Sequence, residues 1–264
     1  MARAEGIQAP GPGAHAGWYE QRGAYGVRFA STPEDLRAVQ ALRYDIFVRE
    51  FGAAVGDRDA GLDQDPLDAR ARHLMVLELS SGACVGTYRL ACAEEIDGGG
   101  FYTQRLFDMS RLDPGVAQQG VELARACVAA AHRRRGVLTL LLRGIGAHLV
   151  ATRKRYLFGC GSVPVADPAA APAVIDAMTC AGLLDPTLDV APTAAHALTR
   201  AQLRAAPAGV VVEIPALLRA YGAFGARYGA APAHDPDFGT LDFFVLFDIT
   251  RVSPRTYAHF CAPR

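Results

Sequence analysis

Residues 121–163 read VELARACVAAAHRRRGVLTLLLRGIGAHLVATRKRYLFGCGSV, and the parsing of this stretch decides the fold. Residues 121–128 have the composition of a strand, apolar or small except at Glu122 and Arg125. A basic turn over residues 132–136 then leads into Leu138, Leu141, Leu142, Ile145 and Leu149, whose spacing marks one face of an amphipathic helix. A second apolar run follows at residues 156–163. Strand, glycine-containing turn, helix and strand make a βαβ unit, which requires a parallel strand pair and a right-handed crossover. Glu122 and Arg125 thus stand just upstream of a helix N-terminus, where backbone N–H groups and the helix dipole favour anions and polarised carbonyls. In a regular strand, side chains at these two positions point to opposite faces. For both to serve one site, a β-bulge is predicted between Glu122 and Cys127, and the N–H that it frees is a candidate oxyanion donor.

The chain has 264 residues and 51% hydrophobic content, enough for a sizeable core in one large domain. Lys plus Arg and Asp plus Glu number 27 each, which removes the electrostatic case for nucleic acid. The six cysteines are scattered with no CxxC and no Cys/His cluster at metal-ligand spacing, so no metal is expected and the thiols read as small buried hydrophobes in a reducing compartment. No apolar run reaches the ~18 residues needed to span a bilayer. The expectation is a soluble, cytosolic protein. Residues 1–24, rich in Gly, Ala and Pro and without periodicity, read as a disordered leader, with one domain over residues 25–264.

Thr32, Pro33, Glu34 and Asp35 signal a helix start, with Thr32 as the N-cap, and the helix is predicted over residues 33–51. Its apolar face carries Leu36, Val39, Ile46 and Phe47, with Arg43 on the same face. A guanidinium there finds a partner, lines a cavity, or snorkels to the helix edge. Residues 52–72 form a long acidic loop containing Asp57, Asp59, Asp63, Asp65 and Asp68, suited to holding an ammonium group or a metal, though without a calcium-loop pattern, or simply to solvation. Residues 73–79 and 83–91 read as a strand hairpin, with Arg89 beside apolar neighbours in mid-sheet. Further along, a helix is predicted near residues 173–181, irregular chain over 183–197, a short strand at 210–214, a helix at 216–228 and a strong strand at 241–249.

Taken in order, ALRYDIFVREF (41–51), DQDPLD (63–68), GTYRL (86–90), FYTQRLFDMS (101–110), VELARACV (121–128) and YLFGCGSV (156–163) resemble the bacterial L-ornithine Nα-acyltransferases. These are GNAT-like acyltransferases related to the N-acyl-homoserine lactone synthases. The likeness continues through residues 214–248 and covers about residues 29–260. It implies an α+β fold: a mixed, twisted sheet with a splayed central parallel pair and helices on both faces. It also implies transfer of a fatty acyl group, often 3-hydroxylated, from the phosphopantetheine of acyl carrier protein to the α-amine of ornithine, with no permanently bound cofactor.

By the same resemblance, Arg43 and Phe47 match the first-helix pair of the lactone synthases, Asp65 and Asp68 their paired acids, Arg89 their strand arginine, and Glu122 with Arg125 their Glu–Arg pair. Chemistry assigns roles: Glu122 as general base, backbone N–H groups of residues 124–127 as oxyanion donors, Asp65 and Asp68 for the acceptor's ammonium groups, and Arg43 or Arg89 for its carboxylate. The alternative is a structural ion-pair network that supports the loop. The turn Arg133-Arg134-Arg135-Gly136 lacks the second glycine of a coenzyme A pyrophosphate loop, which fits a carrier-protein donor. Its arginines, with Arg153 to Arg155 at the far end of the helix, offer a landing patch for an acidic carrier or an anionic membrane surface. Two other readings stay open: acylation of a different amine, and a non-catalytic carrier- or lipid-binding module.

Overall fold

In the computed structural model, residues 19–96, 99–204 and 212–261 are described. The chain begins with a hairpin of β1 (Glu20–Arg22) and β2 (Tyr25–Phe29), then enters α1 (Pro33–Tyr44). The Thr32 hydroxyl accepts the Asp35 N–H at 3.1 Å and caps α1 as its sequence predicts, a contact worth about 1 kcal/mol. Beyond Tyr44 the helix widens into a π-type segment, Asp45–Glu50, of the kind often found at functional sites. The acidic loop closes with a 3-10 turn at Pro66–Arg70, leading to β3 (Arg72–Glu78) and β4 (Cys84–Cys92). Short elements follow: α2 (Thr103–Leu106), β5 (Phe107–Asp108) and α3 (Pro114–Gln118). The βαβ unit then runs through β6 (Gly120–Val128), α4 (Val137–Ala151) and β7 (Tyr156–Pro164). After it come α5 (Ala171–Cys180), β8 (Ala191–Pro192), α6 (Ala216–Ala223), β9 (Arg227–Tyr228), β10 (Ala233–Asp235), β11 (Thr240–Asp248) and α7 (Pro254–Phe260).

The main sheet has the order β1-β2-β3-β4-β6-β7-β11-β10, with β9 also on β11. Its pairings are antiparallel except for β6 with β7. That parallel ladder joins Gly120 through Leu123 to Tyr156 through Gly159 and stops, although both strands continue. The central pair is therefore splayed, as the resemblance implies. Gly159 sits at the fork, where a Cβ would lie 2.3 Å from the Leu123 carbonyl oxygen, so only glycine lets the two backbones close there.

Helices cover both faces. On one, Leu140, Leu141, Ile145 and Leu149 of α4 pack against Val27, Leu74, Tyr88, Leu90 and Val121. On the other, Phe101, Phe107, Phe158, Phe244 and Leu246 form a second core, and Leu42 and Ile46 of the first helix meet Cys127. The six cysteines are free thiols.

Several element boundaries differ from the sequence reading. The helix expected over residues 216–228 ends at Ala223, because Gly225 takes φ +102° and the chain turns back so that Arg227 and Tyr228 pair with Leu246 and Val245. Residues 19–24, assigned to the leader, include β1, while residues 1–18 lie outside the described residues. The strand expected at 210–214 falls partly outside them as well, and residues 212–214 make no strand.

Candidate active site

The β4–β6 ladder pairs Thr87 with Cys127 and Arg89 with Ala124, so β6 carries one more residue than β4 over that interval. This is the predicted bulge, and Arg125 occupies it with φ +53°, a left-handed conformation unusual for an arginine. Its consequence is to place Arg125 on the same face as Glu122. Without the extra residue the Arg125 side chain would enter the α4 core.

On that face three arginines and three aspartates are buried together. Arg43 is fully buried and uses its whole guanidinium: Nε to Asp63 Oδ2 at 2.8 Å, Nη1 to Asp68 Oδ1 at 2.9 Å, and Nη2 to the Asp63 carbonyl at 2.6 Å and Asp68 Oδ2 at 3.0 Å. Arg89 Nη1 lies 3.1 Å from Asp68 and 3.2 Å from Asp65, and Arg125 Nη2 donates to Asp65 at 3.0 Å. Asp65 also caps the 3-10 turn by accepting the Leu67 N–H, and Asp68 accepts the Asp65 N–H in return. Burial opposes the charges of both acids, but Arg89 and Arg125 around Asp65, and Arg43 with Gln40 around Asp68, overcome it and hold both carboxyls below the usual range. Arg43, Asp65, Asp68 and Arg89, read from sequence as acceptor-binding groups, thus pair with one another in this structure, although Arg89 Nη2 is left without a hydrogen bond, and none of the four lines the large cavity.

Tyr102 joins the network to Glu122. Its ring lies under Arg125 at 4.9 Å and near Arg89 at 5.8 Å, and its hydroxyl donates to Asp235 at 3.0 Å. The Glu122 carboxylate accepts the Tyr102 N–H at 3.2 Å and the Thr103 N–H at 2.6 Å. Glu122 is 1% exposed and stands behind the cavity wall rather than in it. Tyr102 thus meets Arg125 and Arg89 through its ring and Glu122 through its backbone N–H, Asp65 is joined to it only through those arginines, and of the four only Arg125 lines the cavity.

The cavity itself has a volume of about 1350 Å³ and opens where β7 leaves β6. Its wall includes residues 123–128 of β6, with their bulged backbone, and residues 159–162 of β7. Leu138, Leu142, Ile145 and Leu149 of α4, and Leu217 and Tyr221 of α6, continue it as an apolar chamber. Phe47 lines it as well, edge-to-face with Phe238 at 5.7 Å, and Phe238 in turn lies 4.7 Å beneath the Arg125 guanidinium.

The turn into α4 carries the expected donor-side residues. Gly136 takes φ +86° at the N-cap with no side-chain cap, and Arg134 is also left-handed, at φ +63°. Arg133 is held by Glu50 in a bidentate pair at 2.6 and 2.8 Å and lies over Phe51. Arg134 and Arg135 are exposed, with no ion pair among the described residues.

Asp235 and Asp242 are the wall residues that sequence reasoning missed. Asp242 is 2% exposed beside the apolar run FFVLF of β11, which was its signal in the sequence; burial pushes its carboxyl up to about 6, the Ser162 and Thr240 hydroxyls oppose the shift, and Asp235 adds to it. Among the described residues there is no metal-holding cluster, and no helix is long and apolar enough to cross a membrane.

Residues 42–143 match the family model for an acetyltransferase (GNAT) domain. The chain is 30% identical over 258 residues to an L-ornithine N(alpha)-acyltransferase of Brucella abortus, covering 91% of this chain and 90% of that protein. It is 29% identical over 252 residues to one of Rhizobium meliloti, with 86% and 81% coverage. Among solved structures, a putative N-acetyltransferase from Lactobacillus plantarum superposes with a TM-score of 0.47 at 15% identity, covering 86% of this chain and 99% of that one.

Proposed function

This chain belongs to the L-ornithine Nα-acyltransferase family, with the GNAT fold and N-acyltransferase activity that membership carries, and from that premise we propose that it moves a fatty acyl group from acyl carrier protein to the α-amine of ornithine, giving lyso-ornithine lipid. One observation carries the long-chain part of this reading: the apolar chamber of about 1350 Å³ that begins at the β6–β7 fork. A fork of this kind admits an extended phosphopantetheine arm as a substitute strand, because the edge of β6 beyond Leu123 has lost its β7 partner. The thioester carbonyl then meets the bulged backbone of residues 124–127, where preorganised N–H groups stabilise the oxyanion of the tetrahedral intermediate. The acyl chain extends among the leucines of α4 and the residues of α6.

The charged groups divide their work by position. Arg125 faces the cavity and supplies positive charge to the acceptor's carboxylate, held rigid between Tyr102 and Phe238. Glu122 acts as a positioning residue, tying the backbone at Tyr102 and Thr103 so that this clamp stays in place. Arg43, Asp63, Asp65, Asp68 and Arg89 fix the loop and the bulge from behind. Arg134 and Arg135 meet the acidic surface of the carrier, and the same arginines suit contact with an anionic membrane face, which receives the acylated product.

Incubating the protein with a panel of acyl carrier protein and coenzyme A thioesters and free amino acids, read by mass spectrometry, tests this. The expected product is Nα-acyl-ornithine from long-chain carrier thioesters. Preferential acylation of another amine, or equal use of coenzyme A thioesters without salt dependence, would overturn the acceptor or the donor assignment respectively.

A further inference from the structure

An amine attacking a thioester must lose a proton, and the arginine-paired acids of the buried network are poorly suited to accept it, because their charged forms are already stabilised. Glu122 is buried behind the wall with both carboxylate oxygens engaged by backbone N–H groups. One carboxylate differs. Asp242 lines the cavity opposite Ser162 on β7, whose hydroxyl favours the charged carboxyl; its Oδ2 accepts the Thr240 hydroxyl at 3.1 Å, while its Oδ1 is buried without a hydrogen bond of good geometry among the described residues. No arginine or lysine forms an ion pair with it among those residues. A buried, unpaired carboxylate oxygen is costly unless a ligand supplies the missing donor.

We propose that Asp242 is the proton acceptor for the attacking amine, with Oδ1 receiving the N–H that the cavity leaves room for. The step balances within the residues and substrates already named. The amine nitrogen forms its bond to the thioester carbonyl carbon and gives its proton to Asp242 Oδ1. The C–S bond then breaks, and the thiolate of the carrier arm takes that proton, returning Asp242 to its carboxylate. The neighbouring groups suit this role. Asp235 of β10 has Oδ2 held by Tyr102 and Oδ1 held by the amides of Asp237 and Phe238, which fixes it beside Asp242, whose carboxyl it raises. His196 opposes that effect, and the Cys160 thiol of β7, raised by burial, stays neutral on the same face. Burial and Asp235 place the Asp242 carboxyl near 6, close to the operating range that general-base catalysis favours.

The inference rests on this being an amine acyltransferase but not on ornithine as the acceptor, so the two fail separately: a wild-type protein that acylates another amine refutes the acceptor and leaves the following comparison intact on that amine. In Asp242→Asn, kcat is expected to fall about 100-fold or more, with KM for the acyl carrier unchanged, and the limb of kcat/KM that rises through pH ~6 in the wild type to disappear. Asp242→Glu should restore part of kcat. Thr240→Val removes a hydrogen bond that holds the carboxyl down, so the limb should move to higher pH, a readout that a merely structural role would not move. An Asp242→Asn protein with kcat within about fivefold of wild type, or a limb left in place by Thr240→Val, overturns the proposal.

Discussion

Replacing Arg43 by Met is the sharpest test of the buried charge layer. The substitution keeps an unbranched apolar stem of similar reach and deletes four hydrogen bonds, two to Asp63 and two to Asp68. Asp63 and Asp68 are 1% and 4% exposed, so water cannot replace the guanidinium. Two unit charges about 4 Å apart at an effective dielectric constant near 20 attract by roughly 4 kcal/mol. Removal of one partner from a buried pair typically costs about 3–5 kcal/mol, since the other charge stays behind uncompensated. Arg89 and Arg125 remain nearby and soften the loss, which places the expected cost near 3 kcal/mol. Against a total stability of roughly 5–15 kcal/mol this is large, and it lowers Tm by on the order of 10 °C. Urea unfolding at pH 7, followed by circular dichroism, measures it. Adding Asp68→Asn to Arg43→Met should recover part of the loss, because it removes a stranded charge. The comparison is Arg155→Ala, whose partner is the Asp248 carboxylate but whose guanidinium is 44% exposed, so that solvent screens the pair and the expected cost is much smaller. An Arg43→Met protein within about 1 kcal/mol of wild type would refute the reasoning.

Stability should respond to pH in two opposite ways. Asp65 and Asp68 have carboxyls lowered by their arginines, so their contribution is complete above the unfolded value near ~4 and is lost as pH falls through their folded values; Asp242, raised to about 6, favours the folded state when protonated, and that contribution fades between pH ~4 and ~6, a decline absent from the urea midpoints of Asp242→Asn. Gly159→Val drives a Cβ to 2.3 Å from the Leu123 carbonyl, so the fork must open; activity should fall more than about tenfold and Tm should drop, and a fully active variant would contradict the fork geometry. Reversing charge at Arg134 and Arg135 should raise KM for the acyl carrier with little change in kcat, and the difference should shrink in high salt; an unchanged KM places the carrier elsewhere.

The sequence by itself determined the local elements and one non-obvious backbone event. Helical spacing of leucines and the strand-like flanks fixed β6, α4 and β7, and the Thr32-Pro33 start placed α1, because these signals act over a few residues. The separation of Glu122 and Arg125 was enough to require a bulge, since strand periodicity leaves no other way for both to share a face. What the sequence left open was which charges satisfy each other. Arg43, Arg89, Arg125 and the three loop aspartates come from four separate segments, and ion pairing depends on distances of a few ångströms that no residue spacing encodes. Sequence offered both a substrate-binding reading and a structural one for Asp65 and Asp68; tertiary packing turned them toward the arginines. The same packing set Asp242, an acid that the sequence places beside the apolar middle of β11 without giving it a role, in the cavity wall with one oxygen lacking a hydrogen bond. The end of α6 was likewise decided by tertiary pairing, because Arg227 and Tyr228 gain a strand partner in β11 that a helical continuation would forfeit.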